Sequence, residues 1–240
     1  GSPDAIMALG RIRRRIRDAR IAAKVDKTMQ AAAAAVGMSA IDLEETALPD
    51  FDIGPEGWTE CIDGNELTLE IKAGGAEITC TSPSGKALKS LPAAVKSTEA
   101  CKDMKAAADE IDALLPLIRW RLESSWLGRR KWPLENWRER YGEHPVARAV
   151  AAPLIWWIER EGRMTSAMWR EGKFSDVGGG EIATDGAAIR LWHPIEDIAG
   201  NVMAWRRHLV ENRIVQPFKQ AHREVYPLTD AERETGTFSN

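Results

Sequence analysis

Cysteine is scarce: Cys61, Cys80 and Cys101 are spread widely, with no CxxC pair. No histidine lies three or four residues from another histidine or from a cysteine. Those spacings argue against a structural zinc site and a disulfide framework, and no metal or cofactor is expected. Buried free thiols in a reducing compartment are the plain reading. No apolar run approaches the roughly 20 residues that span a bilayer, so no membrane partner is expected. The opening stretch GSPDAIMALGRIRRR lacks the basic-then-apolar order of a secretion signal, which points to a cytoplasmic location. Neither sign of charge dominates; a net charge of -3 gives no global pull toward nucleic acid or anionic lipid. Phenylalanine and tyrosine are also few, four and two against ten tryptophans. Wherever these tryptophans are buried, their indole N–H groups need acceptors.

What is present falls into blocks. Asp4 to Val36 reads as one long helix, with Ile6, Leu9, Ile12, Ile16, Ala19 and Ala23 on one stripe. Arg11, Arg13, Arg14 and Arg15 crowd its other faces. They form either a solvated face or a phosphate-tracking surface, and the absence of interleaved aromatics favours the former. Gly37 fits a helix C-terminus, and Ser39 with Asp42 fits the start of a short helix. From Trp58 to Thr81 alternating apolar and polar positions, separated by Asp63-Gly64-Asn65 and Ala73-Gly74-Gly75, predict a three-stranded antiparallel meander. Ser84-Gly85-Lys86 is a turn rather than a phosphate loop, because Cys80 and Ala87 stand where glycine and a hydroxyl residue are needed.

Ala93 to Leu127 is helical again, with Met104, Ala107, Ile111, Leu114, Leu115, Ile118 and Leu122 on one side. Pro116 predicts a kink or break in it. Trp132-Pro133 and His144-Pro145 predict further helix starts, the second helix running to about Glu159. The tryptophans here, beside Arg129 and Arg130, form either a core between helices or a base-stacking platform; the core is favoured. Arg163 to Arg170 reads as a strand, Glu171 to Asp185 as a glycine-rich hairpin loop, and Ala187 to Trp192 as the returning strand.

Pro194 ends that strand at His193. Ile195 to Leu209 predicts a helix with Ile198, Val202, Trp205 and Leu209 facing inward. His193, His222, Glu224 and Tyr226 are a possible acid–base set, since a histidine with a carboxylate or phenol neighbour can be tuned toward neutral pH. His193, Arg223 and Glu224 are the candidate catalytic residues. No nucleophile motif such as G-x-S-x-G accompanies them. A His-Pro pair also closes strands with its imidazole bonded to nearby backbone, and that structural role is favoured.

The segments LWHPIED and IVQPFKQAHREVY, with ALGRIRRR, DLEETALPDF, SGKALKSLP and KWPLENWRERYGEHPVARAVAAPLIWW before them, resemble the MolR-like bacterial domain of unknown function. That family is sometimes found beside a WGR domain and carries the label molybdate metabolism regulator. The most specific parts are His193-Pro194 and Gln216-Pro217-Phe218 with Arg223. The resemblance implies a bacterial module with no catalytic residues to carry over. It also implies a fragment of a longer protein, because the family pattern continues past TGTFSN. His222 departs from the small or apolar residue the pattern has before the arginine, which weakens any role built on it.

The expectation is an α+β fold, mainly helical, with a three-stranded meander and a second small β-hairpin. Residues 1–48 form a helical segment, 49–92 the meander, and 93–240 a tryptophan-rich helical region. The function expected is an interaction or regulatory module with a protein partner and no catalysis. The alternatives are nucleic-acid binding through Arg11, Arg13, Arg14, Arg15, Arg129 and Arg130, and an enzyme using His193, Arg223 and Glu224.

Overall fold

The computed structural model describes residues 5, 6, 9, 16, 18–54 and 57–224. The fold is α+β, with a three-stranded antiparallel sheet and a second, larger antiparallel sheet. The chain forms two compact units, residues 1–117 with 143–147, and residues 118–142 with 148–240.

The first unit holds helix α1 (Ala19–Ala35), α2 (Ala40–Thr46), the meander, α3 (Ala93–Lys96) and the first part of α4 (Glu99–Ser125). The single long helix expected from Asp4 is interrupted: Ala5, Ile6 and Leu9 are helical, Ile16 and Asp18 are not, and α1 begins at Ala19, where the Asp18 carboxylate accepts the N–H groups of Arg20 and Ile21. Arg11, Arg13, Arg14 and Arg15 lie outside the described residues. The helix ends as expected at Gly37, φ 71°, where the N–H groups of Gly37 and Met38 bond to the carbonyls of Ala34 and Ala33. Ser39 caps α2 through the Asp42 N–H at 3.0 Å. Strands β1 (Trp58–Ile62), β2 (Asn65–Lys72) and β3 (Gly75–Thr81) pair in order, with two-residue turns. Asp63 and Gly64 both take positive φ, which matches the right-handed twist of a tight hairpin. The predicted apolar side of α4 is buried, and α4 runs unbroken through Pro116, so the predicted break does not occur. Cys80 and Cys101 are buried thiols, whereas Cys61 is exposed, since it falls on the outward side of β1.

The second unit departs further from expectation. In place of a small hairpin stands a five-stranded sheet of β4 (Lys131–Pro133), β5 (Ile155–Arg160), β6 (Arg163–Arg170), β7 (Lys173–Ser175) and β8 (Ala188–Leu191), in the order β4-β8-β5-β6-β7. The returning strand β8 pairs with β5 and β4 rather than with β6. The helix expected from His144-Pro145 to Glu159 is corrected to a short α6 (Ala147–Ala151) followed by β5. The reason is burial on both faces: Ile155 and Trp157 pack toward one side, Trp156 toward the other. A strand covered twice reads as a continuous apolar run, which periodicity cannot tell from a buried helix. Trp132 likewise belongs to β4, and the helix after it, α5 (Leu134–Trp137), begins beyond Pro133. The helix expected over Ile195–Leu209 is a 3-10 turn, Pro194–Glu196, and then α7 (Ala199–Glu211). Ile198 is the cap residue of α7 and is exposed, not inward-facing.

One face of the sheet carries α7, with Val202, Trp205 and Leu209 against Ile155, Trp157, Met168 and Trp192. The other carries α5 and a π-helical turn, Arg138–Gly142, where Trp137 meets Trp156, Trp169 and Phe174 at ring centroid separations of 5.0, 5.2 and 4.7 Å. Trp132, Trp137, Trp156 and Trp157 are thus core, whereas Trp126 is half-buried and Trp120 is exposed. Gly142 is the tightest point: a Cβ there would stand 2.9 Å from Trp137 Cζ3 and 3.0 Å from Trp169 Cε2, atoms of packed rigid rings. Gly142→Ala is therefore expected to cost about 2 kcal/mol or more and to weaken the near-ultraviolet circular dichroism of the indoles. An unchanged urea midpoint would show that the ring cluster yields more easily than close packing implies.

Candidate functional site

The stretch from β8 to Glu224 carries His193, Arg223 and Glu224, and of the latter two Arg223 acts on His193. Tyr226 lies outside the described residues. His193 follows β8 and is buried; its Nδ1 accepts the Ile195 N–H at 3.1 Å, capping the 3-10 turn. Its ring stacks on Trp126 with centroids 3.9 Å apart and an interplanar angle of 23°. Burial, then the Arg223 guanidinium, push its pKa below the usual 6.5, against an opposing pull from Glu196. Because Nδ1 accepts a backbone N–H, the tautomer that fits this geometry carries its proton on Nε2. Such a ring closes the strand, as a His-Pro pair was expected to do. Action as a base through Nδ1 would break that cap.

Arg223 is half-exposed and pairs with Glu123. It also donates from Nε to the Lys219 carbonyl. Glu224 is exposed, and the charges that act on His193 are those of Arg223 and Glu196. Arg129 is exposed, and Arg130 lies with its guanidinium carbon 5.0 Å from the centre of the Trp132 ring. Trp132 itself is buried, so this ring offers no open face to a base. Among the described residues no group of three or more His, Cys, Asp or Glu side chains is placed to hold a metal ion, and no helix is long and apolar enough to cross a membrane.

Glu196 and Asp197, which no local pattern marks, organise this region together with Gln216 and Gln220. Glu196 accepts both contacts of Arg190 Nη1, at 3.0 and 2.7 Å, and the Trp157 indole N–H. Asp197 accepts the Trp192 indole N–H at 2.7 Å and the Asn201 amide at 2.6 Å. Gln220 is almost wholly buried. Its oxygen accepts the Ile155 N–H at 2.8 Å, and its nitrogen donates to the carbonyls of Ile155 and Trp192 at 2.7 and 3.0 Å. Gln216 joins it through a 2.8 Å amide contact and bonds to the Pro153 carbonyl and the Ala221 N–H. The two glutamines thereby stand in for backbone at the ends of β5 and β8. Their spacing of four residues around Pro217-Phe218 was the available signal. The polar chemistry here is that of a sealed sheet end.

In His208, Nε2 accepts from Arg170 Nη2 at 2.9 Å, and burial, followed by Arg170, lowers its pKa. His144, in the first unit, accepts the N–H groups of Val146 and Ala147 at Nδ1; burial again lowers its pKa most.

A protein-family model described as a domain of unknown function (DUF4132) matches residues 85–240. The uncharacterized protein YehI of Escherichia coli (strain K12) is 23% identical over 205 residues, covering 83% of this chain. The match takes up 17% of the length of that relative. No solved structure matches.

Two outcomes follow from the geometry. Gln220→Ala is expected to cost about 3 kcal/mol in urea unfolding, because it leaves buried backbone groups of Ile155 and Trp192 unpaired. Gln220→Glu is expected to destabilise as well, since a carboxylate cannot donate to those carbonyls; a silent Glu variant would refute the pairing. The pH dependence follows from the three lowered histidines. The unfolded chain takes up protons near pH 6.5 that the folded chain resists. Their contribution is fully present above that pH and is lost as the pH falls toward the folded values. The melting temperature is expected to fall between pH 7 and 5, less steeply in His193→Gln. Equal slopes in the two proteins would show that His193 does not resist protonation.

Proposed function

The chain belongs to the DUF4132 family, and from that premise we propose that it is a protein-interaction module, regulatory in role, of a longer bacterial protein. The observation that carries this reading is the second face of α7. The first face, Val202, Trp205 and Leu209, is consumed by the sheet. Met203 and Val210 are nevertheless 57% and 68% exposed on the same helix, and Ile198, its cap residue, and Val215, four residues past its last one, are 75% and 81% exposed. A surface helix normally shows one apolar stripe; apolar side chains left exposed on its other face are what a partner surface requires. The His193 region supports the same reading, because its hydrogen-bonding groups serve the fold. The regulator resemblance of LWHPIED and IVQPFKQAHREVY agrees with it.

The test is a photo-reactive benzoylphenylalanine placed at Met203 in the full chain and activated in bacterial cells. A defined adduct that disappears when Val210→Glu is added is expected. No adduct, or one indifferent to Val210→Glu, would refute an interaction through α7. A tryptophan-fluorescence titration with single-stranded and duplex oligonucleotides at low salt is expected to show no saturable change. A saturable change that weakens with salt would instead favour the nucleic-acid alternative.

A further inference from the structure

We infer that the exposed face of α7 docks an acidic amphipathic helix. The inference rests on the interaction reading above and adds the chemistry of the partner. Met203 and Val210 are seven residues apart, so their side chains leave α7 within about 20° of each other. Two anchors at that spacing suit a partner helix lying along α7 with its own apolar residues at heptad intervals.

Charge decides which helix. Arg206 and Arg207 lie between the two anchors in the sequence and, by the same helical geometry, flank them on either side. Arg207 is exposed. The Arg206 guanidinium donates to the carbonyls of Ala221 and Arg223 at 2.8 and 3.3 Å, so its charge is held in place with no carboxylate among those contacts. Exposed Arg213 adds a third cation just past the helix end. Glu211, the one acidic residue of α7, projects about a quarter-turn away from the anchors.

A second copy of this chain fits poorly. An antiparallel two-fold pairing that sets Met203 against Val210 of the copy also sets Arg206 against Arg207 of the copy. A parallel pairing sets Arg207 against itself. Both place like charges at the centre of an isologous contact, where they repel. A helix carrying glutamate or aspartate beside its apolar stripe meets both anchors and neutralises both arginines.

The probes are three fluorescein-labelled helical peptides of 18 residues, with leucine at heptad spacing and flanking glutamate, glutamine or lysine. Anisotropy with the full chain is expected to give at least ten-fold tighter binding for the glutamate peptide than for the other two. That advantage is expected to shrink with added salt and to pass to the lysine peptide in Arg207→Glu. Equal or better binding of the glutamine or lysine peptide at α7 would overturn the acidic partner while leaving the interaction reading intact. Light scattering that shows a dimer abolished by Met203→Glu would assign the face to a second copy instead. Binding by none of the peptides would also overturn the inference, and the cross-link at Met203 would then decide the interaction reading alone.

Discussion

A buried indole must find an acceptor for its one N–H, and much of the second unit follows from that constraint. Trp156 donates to the Ala151 carbonyl at 3.0 Å and Trp169 to the Gly142 carbonyl at 2.9 Å. Trp205 donates to the Ser166 hydroxyl at 2.8 Å, and Trp157 and Trp192 to the side chains of Glu196 and Asp197. Apart from Ser166, which lies within β6, these acceptors sit where regular structure stops: the last residue of α6, the end of the π turn, the 3-10 turn and the approach to α7. The irregular segments are therefore where the sheet's large rings are satisfied. Trp137 is an exception, since its Nε1 has no acceptor among the described residues. That cost, about 1–3 kcal/mol, is offset by edge contacts with neighbouring rings.

The same economy governs the C-terminal stretch. Several polar side chains of this stretch close the end of the sheet. Gln216 and Gln220 complete the ends of β5 and β8, His193 caps a turn, and Arg190 with Glu196 forms a nearly buried ion pair. Such a pair is poor evidence of net stability but fixes geometry, because breaking it would strand a charge. The aliphatic residues that the fold leaves unused, Met203 and Val210 on α7 with Ile198 at its cap and Val215 four residues past its end, carry the case for a partner.

The match between sequence and structure differs sharply between the two units. In the meander, alternation and Asp-Gly turn chemistry are local signals, and the strands fall within a residue or two of the expected bounds. Gly37 and Ser39 act through hydrogen bonds to residues three to five positions away, so they too were legible. Most tryptophans were legible as core because an indole is large and its burial strongly favourable, although Trp120 stays exposed. The run Ile155-Trp156-Trp157-Ile158 was not legible as a strand, since a segment covered on both faces has no polar phase. The role of Gln220 was equally hidden, because its partners, Ile155 and Trp192, are 65 and 28 residues away.

The sequence by itself determined the fold class, the meander with its turns, the helix caps, the composition of the core and the structural use of the His-Pro pair. Each depends on local backbone preference or on the hydrophobicity of a single side chain. Only tertiary structure decided the five-stranded sheet, the partners of the indole N–H groups, the sealing of β5 and β8 by two glutamines, and which face of α7 stays open. Those depend on strand pairings and contacts between residues far apart in the chain, and no local pattern specifies which distant group will be the neighbour.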